Sequence, residues 1–416
     1  MLFGRRKYRN LNTLHVFKDA LKHNLHAYQK LCPGQAICPV LKSNAYGHGL
    51  TLVAKALDNE GAPFFIVDSL YEAYELKKAR IKTPVLIIGA LHPENTHGRH
   101  FPFHFAVFNK ESAELFAKMD VPVHIKIETG LSRMGFSMKQ LKESLPYFKK
   151  IGLNIEGIYT HFADADNPQS DAKTEEQVER FEEALALVEA AGFKPKWIHC
   201  ANSAGALKVK NPKFNMVRLG IGLYEATMEL ESTLVAIDEL KKGETVGYGC
   251  TFTAPKNMRV GVIPVGYYEA IPRSLSNKGF VEVNGKLCPM LGRVSMNMCT
   301  FDLEGVEAKL FDPVIVYSRH AEQKNSVPEQ SHAAGMIPYE LLVHISESVA
   351  RRLQGAPLLP PPLDKARLKP KGRSFLLPFF VRAGAHLRHF DSRKSFSFCG
   401  ALLRFFAAQL HDTWLW

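Results

Sequence analysis

The chain has 416 residues, which is enough for two domains at the usual allotment of about 100–200 residues each, and its 46% hydrophobic and 23% charged residues are typical of a globular protein. This composition excludes wholesale disorder and fibrous repeats. The formal net charge is +12, but residues 357–416 hold ten Lys/Arg against three Asp and so carry +7 of it. The rest is only mildly basic, so no nucleic-acid partner is expected.

The N-terminal segment has basic residues but no apolar run long enough for a signal peptide. Nowhere does the chain contain the roughly 18 uninterrupted apolar residues of a membrane span. We therefore expect a cytoplasmic protein with no membrane partner. The seven cysteines include no CxxC pair, so neither a zinc knuckle nor a disulfide framework is indicated, and no metal is expected.

Short apolar runs alternate with amphipathic stretches from about residue 12 to residue 222. The runs include ICPVL, PFFIV, PVLIIG, HFAVF, VHIKI, IEGIYTHF and PKWIHCANS. The longest amphipathic stretch, TEEQVERFEEALALVEAAGF, has apolar residues at helical spacing and contains Gly192, which suits a helix C-cap. Repeated strand and helix units predict an α/β fold, a (β/α)₈ barrel over residues 10–230, with its active site in the loops that follow the strands.

A β-rich domain is predicted for residues 231–355, where short apolar segments alternate with Gly and Asn turns. Within it, EVNGKL is a strong hairpin signal because Asn-Gly suits a type I′ turn. Residues 356–416 form an atypical tail that begins proline-rich and continues basic and aromatic without a sustained period. For 398–410, a surface-seeking amphipathic helix and a fused or out-of-frame sequence both remain open.

Lys42 closes the apolar run ICPVL and leads directly into the turn SNAYGHG. Catalytic groups of barrel enzymes lie where strands end, and Gly47 and Gly49 allow the loop to approach a ligand closely. Lys42 is therefore a candidate Schiff-base nucleophile, although a lysine at a strand end is more often a solvated cap.

The segment VLKSNAYGHG is similar to the lysine signature of alanine racemases, which use pyridoxal 5′-phosphate (PLP). The resemblance continues in chain order through KIETGLSRMGF, IYTHFADAD, HCANSAG, VRLGIGLY, VGYGCTF, PVGYYEAIPRSLSNKG, LGRVSMNM and PYELL, and covers about residues 10–350. It implies a barrel followed by a β domain, PLP as cofactor, and racemisation of L-alanine to D-alanine for peptidoglycan. It also implies a homodimer whose active sites are shared between subunits.

The resemblance implies that Lys42 binds the PLP aldehyde as a Schiff base and that Tyr267, in the β domain, is the second base. It also implies a set of cofactor-binding residues, which are Lys42, Tyr46, Arg133, His161, Asn202, Ser203, Arg218, Gly220, Ile221 and Tyr339. Five of them would surround the phosphate, namely Tyr46, Ser203, Gly220, Ile221 and Tyr339. Taken singly, each also has an ordinary structural use, such as Ser203 as a helix N-cap or Gly220 in a turn.

Arg218 matches the family's partner for the PLP pyridine nitrogen. A guanidinium effectively never releases its proton, so that nitrogen would stay unprotonated and the ring would be a weaker electron sink. A free tyrosine has a pKa near 10 and is a poor base at neutral pH. Hydrogen bonding and positive charge from His161 and Arg218 would help to lower the pKa of Tyr267.

The resemblance assigns Arg133 to the PLP phenolic oxygen and the substrate carboxylate, and Met296 to that carboxylate through its backbone amide. Lys126 matches a lysine that some members carry as a carbamate. Two departures stand out: GYYEA replaces the commoner Gly-Tyr-Ala-Asp-Gly pattern, and SMNM places Asn297 where an Asp is usual. These departures leave the substrate range open.

Three alternatives to an alanine racemase follow from the same residues. A racemase for another amino acid, such as serine, could use this scaffold. A non-catalytic PLP-binding protein would share Lys42 and the phosphate residues but would have no need of a second domain or of Tyr267. A barrel-fold decarboxylase fits less well, because that group pairs the pyridine nitrogen with a carboxylate where this chain has Arg218.

Overall fold

The computed structural model describes residues 8–96, 101–209 and 211–355. The strands of the first half are β1 (Thr13–Phe17), β2 (Ala36–Pro39), β3 (Phe65–Val67), β4 (Val85–Ile87), β5 (His104–Val107), β6 (Val123–Lys126), β7 (Ile155–Tyr159), β8 (Trp197–His199) and β9 (Met216–Leu219). Those of the second half are β10 (Met228–Thr233), β11 (Ala236–Leu240), β12 (Thr245–Val246), β13 (Phe252–Thr253), β14 (Met258–Ile263), β15 (Phe280–Val283), β16 (Lys286–Leu291), β17 (Cys299–Asp302), β18 (Pro313–Tyr317) and β19 (Ala350–Gln354).

The helices lie mainly between the strands of the first half. They are α1 (Lys18–Leu31), α2 (Lys42–Tyr46), α3 (Leu50–Leu57), α4 (Leu70–Lys78), α5 (Lys110–Lys118), α6 (Met138–Lys150), α7 (Asp171–Ala190), α8 (Gly205–Lys208), α9 (Val327–Ala334) and α10 (Pro338–Val343), of which α2 is a left-handed turn and not a right-handed helix. Local sequence explains their starts, because Ser69, Asn109 and Ser137 each form a capping box at the first turn of α4, α5 and α6. The predicted helix that approaches Gly192 is confirmed as α7.

Parallel strands of the first half curl into the predicted barrel. Strands β3 to β8 pair consecutively, β2 pairs with β9, and a parallel bridge between Val40 and Ile66 joins β2 to β3. The backbone N–H of Arg218 donates to Ala201 O at 3.0 Å, which brings β9 beside the end of β8. Strands buried on both faces read as continuous apolar runs, as in Phe65–Val67. The (β/α)₈ barrel followed by a β-rich domain is confirmed.

The second half builds a sheet in the order β11-β14-β17-β16-β15-β18-β10-β1-β19. Its β15–β16 hairpin turns at Asn284 and Gly285, whose φ angles of 48° and 77° suit the predicted type I′ turn. Within the described residues, no helix is long and apolar enough to cross a bilayer. The atypical tail, residues 356–416, and the helix considered for 398–410 lie outside the described residues.

Strand β1 belongs to the second sheet and not to the barrel. It pairs antiparallel with β10 and parallel with β19, so residues near both ends of the described chain meet there. Leu14 and Val16 are fully buried in this position. The division into 10–230 and 231–355 remains a proposal, with the qualification that residues 13–17 pack with the second region.

Candidate active site

A cavity of about 810 Å³ opens where the barrel strands end. Its lining includes the predicted site residues Lys42, Tyr46, Lys126, Arg133, His161, Asn202, Ser203, Arg218, Gly220, Ile221 and Tyr339. Cofactor sites typically occupy about 300–1,000 Å³, and barrel enzymes place them at this end of the strands. The fold thus gathers residues that are up to about 300 positions apart in the chain.

The turn after Lys42 is left-handed over consecutive residues. Ser43, Asn44, Ala45 and Tyr46 have φ angles of 55°, 55°, 53° and 51°. Such a conformation costs roughly 1–2 kcal/mol for each residue with a side chain, so it persists only where the surroundings impose it. Its result is that both Lys42 and Tyr46 line the cavity.

Hydrogen bonds from several elements hold this left-handed turn. Asn44 Oδ1 accepts from the backbone N–H of Leu50 at 2.8 Å, and Asn is one of the residues that tolerates a left-handed backbone. Arg351, on β19, donates through Nε to Gly47 O at 2.8 Å. The same guanidinium also donates to Ile345 O. Arg351 thus connects β19 to the turn that follows Lys42.

Hydroxyl and amide groups cluster at one end of the cavity. Ser203 Oγ accepts from the backbone N–H groups of Gly220, at 3.0 Å, and of Gly222, at 3.2 Å. A Cβ at position 220 would lie 2.8 Å from Tyr46 Oη, so only glycine leaves this space free. Burial raises the pKa of Tyr46 and raises that of Tyr339 to about 12, which keeps both phenols protonated as donors. These groups suit a phosphate.

Arg218 is 4% exposed and lines the cavity. Its Nη1 donates to Nδ1 of His199 at 3.0 Å, and its Nη2 lies 2.8 Å from Thr160 O, 3.0 Å from Cys200 O and 3.2 Å from Nδ1 of His161. All of these partners are acceptors, as a guanidinium requires. The side chain is therefore fixed in a single orientation facing the cavity.

Burial, followed by the positive charges of Arg218 and Arg133, holds the pKa of His161 well below its usual range. The same is true of His199, where burial is the main cause and Arg218 the next. His199 Nε2 lies 2.9 Å from Nδ1 of His124, which extends the chain of neutral imidazoles beneath the cavity. The sequence reasoning missed His124 and His199, and also Tyr159, whose ring stacks on His199 at 4.9 Å.

The side-chain amine of Lys126 has a lowered pKa. Burial and then the nearby charges of Arg133 and Arg218 lower its pKa from 10.5 to about 8, although Glu128 acts in the opposite direction. Glu128 also orders the following loop by accepting from the N–H groups of Gly130, at 2.6 Å, and Arg133, at 3.3 Å. A substantial fraction of Lys126 is therefore an uncharged, nucleophilic amine near pH 8.

Tyr267 and Met296 do not line this cavity. They lie on two adjoining loops of the β domain and are 45% and 55% exposed. The N–H of Tyr267 donates to Ser295 O at 3.1 Å, and that of Tyr268 donates to Met296 O at 2.9 Å. A single chain thus brings the barrel residues together in one place and presents these two residues elsewhere, on an exposed surface.

The chain matches known proteins over both halves. The family model of the alanine racemase N-terminal domain matches residues 16–227, and the family model of the C-terminal domain matches residues 227–353. The chain is 32% identical over 359 residues to the alanine racemase of Desulforamulus reducens. The aligned region covers 80% of this chain and 96% of that relative. It is 34% identical over 362 residues to alanine racemase 1 of Caldanaerobacter subterraneus, with 81% and 93% covered.

The fold agrees with these matches. A solved structure of alanine racemase from Clostridium difficile superimposes with a TM-score of 0.78 at 26% identity, covering 84% of this chain and 97% of that one. The resemblance that the sequence motifs carried is thereby confirmed. The chain belongs to the alanine racemase family.

Proposed function

We propose that this protein is a PLP-dependent alanine racemase that interconverts L- and D-alanine and supplies D-alanine for peptidoglycan. One observation carries the proposal: the residues that the family resemblance assigns to the cofactor, which are Tyr339 and residues of the barrel, all line one cavity at the strand ends. A cytoplasmic location and a role in cell-wall supply belong to the same proposal.

The cavity has groups that fit PLP. Ser203, the Gly220 amide and the phenols of Tyr46 and Tyr339 would hold its phosphate, and the glycine at 220 leaves room for it. Lys42 Nζ would bind its aldehyde. Arg218 would face the pyridine nitrogen as a donor, because its other partners leave it no freedom to turn away. When bound, PLP supplies an electron sink for the charge left at the substrate Cα.

Racemisation requires one group to remove the Cα proton and another to return a proton on the opposite face. Lys42 Nζ would serve one face and Tyr267 Oη the other. Arg133 would orient the substrate carboxylate together with the Met296 amide. His161 and Arg218 line the cavity that the phenol of Tyr267 would enter.

A reaction that uses Lys42, Tyr267 and Met296 together needs a second copy of the chain, because Tyr267 and Met296 lie outside the cavity that contains Lys42. We propose a homodimer in which the β domain of one subunit completes the barrel site of the other. Mixing Lys42→Ala with Tyr267→Phe protein should restore about a quarter of wild-type activity, since half of the dimers would be mixed and each would have one complete site. No recovery after verified subunit exchange would refute the shared site.

Lys126 is proposed to carry a carbamate. An uncharged amine is the form that reacts with CO₂, and the pKa of about 8 provides it at moderate pH. The resulting anion would lie beside Arg133 and offset the positive charge that now depresses the pKa of the lysine.

The experiment that tests the proposed activity is incubation of the PLP-loaded protein with L-alanine in D₂O, following D-alanine formation and deuterium entry at Cα. D-alanine that carries deuterium supports the two-base reaction. Deuterium entry without inversion would show that only the base on the face of the L-alanine Cα proton is active. Absence of both would favour a racemase for another amino acid such as serine, which a substrate panel would identify, or a non-catalytic PLP-binding protein.

A further inference from the structure

A fully buried imidazole packs against the turn that follows Lys42. His48 is 0% exposed and does not line the cavity, so the proposed reaction leaves it without a role. Its Nδ1 lies 3.0 Å from Tyr46 O, and its Nε2 lies 3.0 Å from Oγ1 of Thr227. One ring nitrogen thus meets the lysine turn, and the other meets the residue that precedes β10. Thr227 is itself fixed to the second sheet, since its O accepts from the N–H of Phe17 at 2.8 Å.

The partners of this ring determine where its proton lies. Burial is the main cause that lowers the pKa of His48 from 6.5 to about 4, so the ring is neutral near pH 7. A carbonyl oxygen only accepts hydrogen bonds, so the single ring proton is on Nδ1 and is donated to Tyr46 O. Nε2 then accepts from the hydroxyl of Thr227. His48 therefore acts on the Tyr46 backbone as a donor, and Thr227 keeps the ring in the orientation that this bond needs.

A tyrosine ring packs against both His48 and Tyr46. The ring centroid of Tyr224 lies 4.7 Å from that of His48 and 4.8 Å from that of Tyr46. Its Oη donates to Val40 O at 2.8 Å, two residues before Lys42. Contacts between aromatic rings favour particular arrangements of the rings. The phenol of Tyr46 is therefore placed by two contacts at once, the ring of Tyr224 on its side chain and the imidazole of His48 on its backbone.

The backbone of Tyr46 needs such support. Its φ angle of 51° is left-handed, a costly conformation for a residue with a side chain, and it persists only where the surroundings impose it. Loss of the hydrogen bond from His48 would free the peptide group after Tyr46 to rotate, and the phenol would move with it. Tyr46 Oη lies at the phosphate end of the cavity, where a Cβ on Gly220 would come within 2.8 Å of it. A small displacement there changes the distance from the phenol to a bound phosphate.

We propose that His48 is a positioning residue that places the Tyr46 phenol and thereby sets the affinity of the site for the cofactor phosphate. The inference rests on the proposed function, which assigns the Tyr46 phenol to that phosphate. His48 touches neither cofactor nor substrate, and it acts through its hydrogen bond to the Tyr46 backbone. Thr227 acts one step further away, by orienting the imidazole.

The test measures how tightly the full-length chain, freed of cofactor, binds PLP and pyridoxal, which carries the same aldehyde but no phosphate. Schiff-base absorbance follows both titrations. In His48→Gln the side chain can still reach Thr227 but loses the donor to Tyr46 O, so the Kd of PLP should rise by about tenfold to a hundredfold and that of pyridoxal by less than about twofold. In His48→Asn, whose amide nitrogen lies near the position of Nδ1, the donor is kept, and the Kd of PLP should stay within about threefold of wild type.

Stability provides a comparison that separates positioning from packing. Both substitutions remove the ring that packs on Tyr224 and one of its two hydrogen bonds, so urea unfolding should show similar losses in the two variants. A role limited to packing would then lower PLP affinity equally in both. A milder change is Thr227→Val, which keeps the imidazole but removes the hydroxyl that orients it, and it should raise the Kd of PLP by about two- to tenfold. Its matched control is Thr233→Val on β10, whose hydroxyl donates to Leu11 O at the surface and which should leave both affinities unchanged.

Equal PLP affinity in His48→Gln and His48→Asn, or equal losses of PLP and pyridoxal affinity in His48→Gln, overturns the positioning role. A wild-type protein that binds PLP no more tightly than pyridoxal overturns it as well, since there would be no phosphate affinity for His48 to set. These titrations need no turnover. The expected pattern in a protein that racemises no amino acid therefore keeps the role of His48 and refutes the proposed function instead.

Discussion

Nη2 of Arg218 lies 3.2 Å from Nδ1 of His161, and this contact determines which nitrogen of the imidazole carries the proton. A guanidinium can only donate, so Nδ1 accepts and the proton of the neutral ring is on Nε2. The same argument applies to His199, whose Nδ1 accepts from Nη1 of Arg218 at 3.0 Å. His199 Nε2 must then donate to His124 Nδ1, so one arginine orients three neutral histidines.

Replacing this arginine tests its role. Lysine has a single nitrogen and cannot serve acceptors spread over two strands, so Arg218→Lys leaves buried carbonyls unsatisfied at about 1–3 kcal/mol each. We expect a lower Tm and a kcat/KM reduced by about 10²–10³ for L-alanine. The control is Arg352→Lys, at an exposed position of β19, which should change stability by less than about 0.5 kcal/mol. Wild-type Tm and kcat/KM in Arg218→Lys would contradict this account.

The pKa of Lys126 predicts how carbamate formation depends on pH. Burial and neighbouring Arg133 lower this pKa from 10.5 to about 8, so the uncharged fraction rises through pH 7 to 9. With ¹³C-labelled bicarbonate, a carbamate resonance should appear in the wild-type protein and be absent in Lys126→Gln. Lys149→Gln, an exposed position, should retain the signal. A signal of equal size in Lys126→Gln would place the carbamate on another residue.

The same pKa shift has a consequence for stability. Between pH 8 and 10.5 the unfolded chain keeps a proton on Lys126 that the folded protein has released. Stability should therefore rise with pH in this window because of this residue, and the cost of holding the charged amine is fully present only below pH 8. Urea unfolding of wild type and Lys126→Gln in CO₂-free buffer should show a difference that shrinks as the pH rises.

Gly220→Ala should weaken cofactor binding. The added methyl would lie 2.8 Å from Tyr46 Oη, so either the phenol or the Gly220 backbone must move. Overpacking of this kind costs about 1–3 kcal/mol, which corresponds to a PLP Kd higher by about 5- to 150-fold. Titration of PLP followed by its absorbance measures the change. Gly355→Ala, which meets open space, is the control, and equal PLP affinity in both variants would show that position 220 tolerates a side chain.

The left-handed turn predicts an unusual order of stability at Asn44. Both Asn44→Gly and Asn44→Ala lose the hydrogen bond from Leu50 N–H and keep the left-handed backbone, which costs alanine about 1–2 kcal/mol and glycine essentially nothing. We therefore expect the glycine variant to be the more stable in urea unfolding. At Asn24, inside α1, the order should reverse, because alanine is the better helix former by about 1 kcal/mol. The same order at both positions would contradict the strain at Asn44.

Much of this architecture could be predicted from the sequence because its signals are local. Buried parallel strands appear as apolar runs, and Asn284-Gly285 specifies its own turn. Features formed by distant residues have no such local signal. His124 and His199 meet only because β6 and β8 flank β7, and Glu269 meets Asn297 only when two loops fold together. Nothing near Thr13–Phe17 indicates that its partners lie beyond residue 227.

The place of β1 in the second sheet also constrains how the protein is made. Thr13 pairs with Ala350, so β1 leaves the ribosome before the barrel strands, and its partner β19 follows only near the end of the described chain. The barrel strands are complete by Leu219, and β10 can cover one edge of β1 soon afterwards. The other edge, with its unpaired backbone groups, stays open through synthesis of the whole β domain. A ribosome that stalls after residue 233 and before residue 350 therefore holds a chain in which all barrel strands have been synthesised and one edge of β1 can still pair with a neighbouring nascent chain.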